Sequence, residues 1–558
     1  MANCKSWFVC CVVALGLLGA VALICLGVAF FAVQGCPSGS FGRAAVSADS
    51  WICSKAGRSM LQQGGSAVDG AIAALLCTSV VNPQSMGIGG GSMFTIRSKT
   101  GNVKFFNFRE VVPKSFKENL LNDCPTTFRM SPGSQWIGVP GELRGYEEVH
   151  KQYGKLPWAK LFEPSIQLAR GGIEMPPYLA KLLNNSFVKN LVEKSSLCKI
   201  LCDKNRIVLG KGDILKFPKL AETMETIAEK GADALYTGEI GQDLIKDIKD
   251  AGGTLEMEDL KSFHVRVEDA WTVPLGNIRM HIPPPPSGGA LLAFILALMK
   301  EFLPNQSSLD VYQKTQMYHH YIEAAKFANG LKRSIFDPKF NKTKSANHLI
   351  DPNFINHIRA KIVSNRTHDV SYYAVKPSSD RFGTTHVSVL DVDGLAVSAT
   401  STINEIFGGT IYSPRTGIIL NNELTDFCGR ADTVRAGEQP PSAMTPAILE
   451  TQSGGLLVIG GSGGSMITSA VALSIINHLW LGMTLKDAIA VPIAFVDSQN
   501  NVKFEPGFNT SVIDGLKALG HKVADTPYFF NVVNAVEKED GCIAAISDSR
   551  KMGVPAGY

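Results

Sequence analysis

Apolar and polar side chains follow one another along this chain in three rhythms, and each predicts a different kind of element. From Trp7 to Val33 no side chain is charged. A helix rising ~1.5 Å per residue carries that stretch roughly 40 Å, more than the ~30 Å hydrocarbon core of a bilayer. The expectation is an uncleaved signal anchor over 7–33. The alternative is a cleaved signal peptide, whose apolar region is usually shorter. Lys5 precedes the stretch and Arg43 is the next basic residue, which predicts residues 1–6 in the cytoplasm and the remainder outside. That is a single-pass type II arrangement at the plasma membrane.

The second rhythm is helical. Ser66 with Asp69 three positions on makes a capping-box start, and the apolar run through "AIAALLCTSVV" stops at Asn82-Pro83, predicting a helix of about four turns. "PWAKLFEPSIQLAR", "GQDLIKDIKDA", "GGALLAFILALMKEFL" and "YQKTQMYHHYIEAAKFANGLK" are further helices. The third rhythm alternates. "MFTIRS" and "NVKFFNF" flank "KTGN" and predict a hairpin that delivers Arg109-Glu110 at its far end. Beyond residue 380 strands take over: a hairpin over 381–404, then "GIILNNEL", "AILET", "LLVIGG", "IAFVD", "NVVNAVEK" and "CIAAISD". Helical coverings with a strand-rich final third predict stacked helix and sheet layers, an α/β class.

In the 381–404 hairpin the faces choose the register. A two-residue turn at Asp393-Gly394 mixes polar with apolar rows. A three-residue loop, Val392 to Gly394 with the glycine left-handed, pairs Thr384 with Thr402, His386 with Thr400 and Ser388 with Ser398. Val387, Val389, Val397, Ala399 and Ile403 then share the other face, and Asn404 extends the hydroxyl row. Such a row is what the wet face of an antiparallel sheet carries. It also suits a threonine nucleophile, if a cut before Thr384 frees an α-amine of pKa ~7.7 to 8.0 to act as its base. Gly383 favours such a cut because glycine permits strained backbone.

Composition narrows the class. The 558 residues are 45% hydrophobic, enough for two domains or one large layered one. Lys and Arg number 54 against 50 Asp and Glu, a formal +4, without any block of about five like charges, so nucleic acid is not an expected partner. The sequons at Asn184, Asn305, Asn341, Asn365 and Asn509 all lie beyond the anchor, which agrees with an outside location. Among the twelve cysteines, Cys198 and Cys202 close a small loop or form a metal half-site, and no second pair at ligand spacing accompanies them.

Longer words then accumulate in a fixed order: "NPQSMGIGGGSMFTI", "FNFREVVP", "GVPGELRGY", "PPPPSGGA", "TTHVSVL", "ATSTINEIFGG", "GIILNNELTDF", "PPSAMTP", "GGSGGS" and the terminal "AGY". In these the chain resembles the gamma-glutamyltransferases, or glutathione hydrolases, of the N-terminal nucleophile hydrolase superfamily. The resemblance implies a four-layer αββα sandwich. It implies autocatalytic scission between Gly383 and Thr384, leaving a large (heavy) subunit, 34–383, and a small (light) one, 384–558. Thr384 is then the nucleophile, Thr402 orients it, and the N–H groups of Gly463 and Gly464 form an oxyanion hole.

The same resemblance implies that Arg109 binds the substrate's α-carboxylate, Glu423 and Asp426 its α-ammonium, and Asn404 the substrate as well. Ser442 belongs to a segment whose paired serines help to hold the carboxylate; the second of the pair is Ala443 here. Disulfides Cys53 to Cys77 and Cys198 to Cys202 are implied, with Cys36, Cys124, Cys428 and Cys542 unassigned. No cofactor is expected. Glutathione and its S-conjugates are the implied donors, and water, an amino acid or a dipeptide the acceptor. "CTSVVNPQSMG" and "SPRTGIILNNEL" resemble the gamma-glutamyl leukotrienase branch, which acts on leukotriene C4.

Plainer readings stand beside these. Arg109 is equally suited to an ordinary ion pair, and Glu423 with Asp426 to surface charge at a strand end. "LLVIGGSGGSMITSAV" suggests phosphate binding but has no Gly-Lys-Ser/Thr ending. His386, two positions from Thr384 on one strand, has poor geometry for a base and is expected to be structural. Competing functions are a different amide hydrolase, such as a cephalosporin acylase, and an unprocessed, inactive surface glycoprotein with a binding role.

Overall fold

Two antiparallel sheets lie face to face, with helices on their outer sides. The computed structural model describes residues 36–125, 133–303, 309–340, 346–376, 380–430, 432–525 and 529–558. The first sheet runs, in spatial order, Ala556–Gly557, Ala45–Ser47, Thr385–Leu390, Ala396–Thr402, Gly91–Arg97, Val103–Phe108, Arg266–Asp269. The second runs Cys542–Ile546, Val532–Glu539, Leu456–Ser462, Ala447–Thr451, Ile278–Ile282, Trp271–Leu275.

The outer face of the first sheet carries Val387, Val389, Val397, Ala399 and Ile403 into a core shared with helix Ala67–Val81. That helix is apolar all round and buried at every position, as a core helix must be. Its capping box is present: Ser66 accepts from the Asp69 N–H, and the Asp69 carboxylate accepts from the Ser66 N–H at 2.8 Å. Helices Gly289–Lys300, Val311–Leu331 and Ile467–Ile475 cover the outer face of the second sheet. Four layers result.

The 381–404 hairpin takes the three-residue register, with Ser398 opposite Ser388 and Thr400 opposite His386, and Gly394 at φ +83. Its hydroxyl row, however, is not wet. The row faces the second sheet, where Ser398 Oγ donates to the Ile459 carbonyl at 3.0 Å and Ser388 Oγ to that of Asn534 at 3.1 Å. The hydroxyls satisfy carbonyls that face them across a dry seam between sheets.

One expected strand is absent and one hairpin is additional. "GIILNNEL" is not a strand; it runs extended with a single bridge, Tyr412 to Ile419, and ends in the 3₁₀ turn Glu423–Phe427. A further hairpin, Trp271–Leu275 with Ile278–Ile282 around Gly276 (φ +72), lies outside the expected strands, and its first strand carries Pro274. It is tolerated there because Trp271–Leu275 is the sheet edge.

The expected anchor at 7–33 lies outside the described residues, and among those described no helix is long and apolar enough to cross a membrane. Asn305 and Asn341 also lie outside them, while Asn184, Asn365 and Asn509 are exposed. Cys53 pairs with Cys77 and Cys198 with Cys202. The remaining cysteines beyond the anchor pair Cys36 with Cys542 and Cys124 with Cys428. Both of these bonds span the Gly383-Thr384 position.

Candidate active site

The register places Thr384 and Thr402 side by side at the mouth of the seam, their hydroxyl oxygens 3.1 Å apart. Thr402 ends its strand, and its hydroxyl oxygen also accepts the Asn404 N–H at 2.8 Å. Thr384 stands just before its strand at φ +82, and Asn404 stands at φ +74. Left-handed backbone at a β-branched residue is an outlier that the surroundings must impose. The constraints are visible: the Thr384 N–H donates to Ser85 O at 3.2 Å, and the Lys551 ammonium donates to Thr384 O at 2.7 Å. Lys551 is itself held by Asp49 at 2.7 Å and Ser462 at 3.0 Å.

Gly383 is not left-handed, contrary to the reason for expecting a glycine there. A Cβ at this position would sit 1.8 Å from the Asn404 carbonyl, so close approach requires the glycine. Its carbonyl accepts the Gly463 N–H at 2.9 Å. Gly463 and Gly464 are both left-handed, at φ +116 and +59, on the turn between strand Leu456–Ser462 and helix Ile467–Ile475.

A cavity of about 190 Å³ opens onto Thr384, Thr402 and Asn404. Its far wall is Arg109, buried at the end of strand Val103–Phe108, with Glu423 and Asp426 on the 3₁₀ turn. Arg109 bridges the two acids, Nη1 to Glu423 at 2.6 Å and Nη2 to Asp426 at 2.7 Å. It also donates to the carbonyls of Pro440 at 2.8 Å and Pro441 at 2.9 Å. The ion-pair reading of Arg109 and its place in the cavity therefore hold together. Ser442, Ala443 and Gly464 complete the lining.

These features meet their counterparts in known proteins. The family model described as Gamma-glutamyltranspeptidase matches residues 53–558. The chain belongs to the gamma-glutamyltranspeptidase family. It is 46% identical to rat glutathione hydrolase 5 proenzyme over 98% of both chains, and 45% identical to the human protein of that name over 94% of both. Like these, it is a glutathione hydrolase/gamma-glutamyltransferase. In fold it matches the crystal structure of cephalosporin acylase from Bacillus halodurans, with a TM-score of 0.83 over 94% of this chain and 98% of that one at 22% identity. Helicobacter pylori gamma-glutamyltranspeptidase matches at 26% identity and a TM-score of 0.52, over 57% of this chain and 92% of that one.

Against this gamma-glutamyltranspeptidase framework, some contributors were missed by sequence. Glu110 is buried, and desolvation followed by the nearby Glu423 charge raises its pKa well above the carboxylate range. Burial likewise raises Glu423, to about 7, against the pull of Arg109. Glu110 Oε1 and Oε2 and Glu423 Oε2 have no N–H or hydroxyl partner. Two adjoining carboxyls satisfy one another only when one is protonated, the direction in which burial moves both. Asp49 and Lys551 were also missed, since a lone acid and a lone lysine near opposite chain ends carry no local signal.

His386 is fully buried, its Nδ1 2.8 Å from Thr400 Oγ1 and its Nε2 3.0 Å from Ser388 Oγ. Desolvation pushes its pKa down to about 3, so both ring nitrogens serve the seam. Among the described residues His319, Glu323 and His521 cluster at metal-ligand spacing. Hydrogen bonds occupy them: His319 Nδ1 lies 2.8 Å from His521 Nε2, the Lys326 ammonium 3.0 Å from His521 Nδ1, and Tyr373 donates to Glu323 at 2.6 Å. An ammonium within the cluster opposes a cation there.

Proposed function

We propose that this enzyme matures by scission between Gly383 and Thr384 and then transfers γ-glutamyl groups through an ester on Thr384. The observation carrying this reading is the Gly383 carbonyl on the Gly463 N–H, beside the paired hydroxyls of Thr384 and Thr402. Thr384 Oγ attacks that carbonyl, the peptide nitrogen leaves as the free α-amine, and water hydrolyses the resulting ester to release the Gly383 carboxylate. Left-handed strain at Thr384 favours the step.

In the mature site the α-amine takes the Thr384 hydroxyl proton as the oxygen attacks the γ-carbonyl. The oxyanion falls to the N–H groups of Gly463 and Gly464, the first of which already binds a carbonyl here. The amine leaves with the proton, and the ester passes to water or to an amino-acid or dipeptide acceptor. Arg109 takes the α-carboxylate together with Ser442, while Glu423, Asp426 and Asn404 take the α-ammonium side.

Glutathione, its S-conjugates and leukotriene C4 are the proposed donors. A type II anchor over 7–33 would display the site outside the plasma membrane, with glycan at the exposed sequons. Intact mass of the reduced, deglycosylated protein tests the first step by seeking a 384–558 fragment. Amine release from a γ-glutamyl anilide tests the second. An uncut chain that releases no amine overturns the proposal in favour of a binding glycoprotein.

A further inference from the structure

We infer that the Cys124–Cys428 disulfide is a thiol-exchange site on the wall of the substrate cavity, and that its opening loosens donor binding. The inference rests on the reading that this cavity takes a γ-glutamyl donor. Cys428 directly follows the 3₁₀ turn Glu423–Phe427, which carries both acids facing Arg109, and Cys428 itself lines the cavity with Thr384. A disulfide and the donor's own thiol are thereby brought into one space.

Accessibility and charge favour exchange at this bond. Cys124 and Cys428 are both half-buried, as are Cys36, Cys202 and Cys542, whereas Cys53, Cys77 and Cys198 are buried, so it is the place of Cys428 on the cavity wall that singles this bond out. Lys332, Arg333 and Arg430 line the same cavity, Arg430 also pairing with Asp432 and Glu438. Arg333 reaches the Gly429 carbonyl at 3.5 Å, one residue from Cys428. Cations beside a disulfide stabilise an incoming thiolate, and the thiolate is the species that attacks.

The chemistry balances with a low-molecular-weight thiol alone. A thiolate RS⁻ attacks Cys428 Sγ, the Cys124–Cys428 bond breaks, and the electron pair leaves on Cys124 Sγ. The products are an R–S–S–Cys428 mixed disulfide and a Cys124 thiolate. A second RS⁻ releases RSSR and a Cys428 thiolate, and RSSR restores the bond by the reverse steps. Cysteinyl peptides such as glutathione and its dipeptide product belong to this class.

Opening has a consequence for the acids because the bond ties down the end of the turn that carries them. Leu424 and Phe427 belong to a small satellite core with Val112, Leu120, Trp136 and Val434, set apart from the two large cores. Cys124 and Cys428 pack against this satellite and cross-link its two sides. Without the bond the turn keeps that packing and its hydrogen bonds from Arg381 to the Thr425 carbonyl (2.9 Å) and from Asn404 to the Thr425 hydroxyl (2.8 Å), but its far end, two residues past Asp426, loses its covalent tie.

The test uses the full chain, N-acetylcysteine as the thiol and a γ-glutamyl anilide, which has no thiol, as the donor. After graded thiol exposure and alkylation, peptide mapping is expected to find a Cys428 adduct before any opening of Cys53–Cys77 or Cys198–Cys202. KM for the anilide is expected to rise about tenfold, with kcat changed less than about twofold, and oxidised glutathione to reverse the rise. A chain carrying Cys124→Ser and Cys428→Ser should show the raised KM without thiol and no response to it. Cys36→Ser with Cys542→Ser should respond as the parent does. Should the double Cys124/Cys428 variant fail to accumulate, the parent mapping decides alone. A Cys124–Cys428 bond that outlasts the buried ones, or opens without moving KM, overturns the inference. Failure to turn over the anilide at all overturns the proposed function instead, and the mapping still reads the bond.

Discussion

The Gly383 carbonyl sits 2.9 Å from the Gly463 nitrogen while the next residue, Thr384, is held left-handed. The bond between Gly383 and Thr384 is thus polarised at its carbonyl and strained at its nitrogen side, by about 1–3 kcal/mol. With Thr384→Ala the attacking oxygen is gone. The expected result is one full-length chain by denaturing mass spectrometry after reduction, and no release from a γ-glutamyl anilide. A 384–558 fragment from that variant would remove Thr384 from the processing step.

Glu423 titrates at about 7 because burial outweighs the Arg109 charge, and Glu110 stays protonated well above the carboxylate range. A raised acid is neutral below its pKa, so the counter-charge for an α-ammonium disappears as pH falls. KM for the donor should therefore fall as pH rises through about 7. Glu423→Gln should hold KM high, by roughly tenfold, and flatten that limb. Steady-state kinetics from pH 6 to 8 check this, and an unchanged limb in the variant assigns it to another group.

A Cβ at Gly460 would stand 2.3 Å from His386 Cε1, across the seam. Gly460→Ala should overpack the seam and cost about 1–3 kcal/mol, read as a lower Tm. His386, held down at about 3, should leave no inflection in the activity profile near neutrality. A Gly460→Ala chain as stable as the parent would mean that the sheets part easily.

Ala443 lines the cavity beside Ser442, whose hydroxyl oxygen accepts the Met444 N–H at 3.1 Å. Ala443→Ser supplies a second hydroxyl at the carboxylate end. One neutral hydrogen bond is worth about 0.5–1.5 kcal/mol, so KM should fall roughly twofold to tenfold at constant kcat. A drop in kcat instead would place residue 443 nearer the reacting bond.

Cys36 with Cys542 and Cys124 with Cys428 each join 34–383 to 384–558. A chain cut at Thr384 should therefore migrate as one species in denaturing gels without reductant and as two with it. Two bands without reductant would refute at least one pairing in the mature protein.

What the sequence disclosed depended on the range of the signal. The Ser66–Asp69 cap and the Thr384–Thr402 register come from neighbours or from alternation within one hairpin, and both are present. Which side of that hairpin is dry depends on the second sheet, assembled from strands between Trp271 and Ile546, so the hydroxyl row by itself suits a wet face as well as a nucleophile. The Cys36 and Cys124 partners lie 506 and 304 residues away, beyond any spacing argument. Glu110 adjoins Arg109 in sequence, but its burial near Glu423, which raises its pKa, depends on the assembled fold.

The Lys551 ammonium under the Thr384 carbonyl lies 167 residues further along the chain, and the edge strand Ala556–Gly557 against Ala45–Ser47 follows it. A nascent polypeptide still short of Lys551 has the nucleophile hairpin but lacks the cation beneath it and the strand that closes its sheet. Synthesis past Lys551 is thereby a condition on that pose: a chain stopped before it lacks part of what holds Thr384 left-handed.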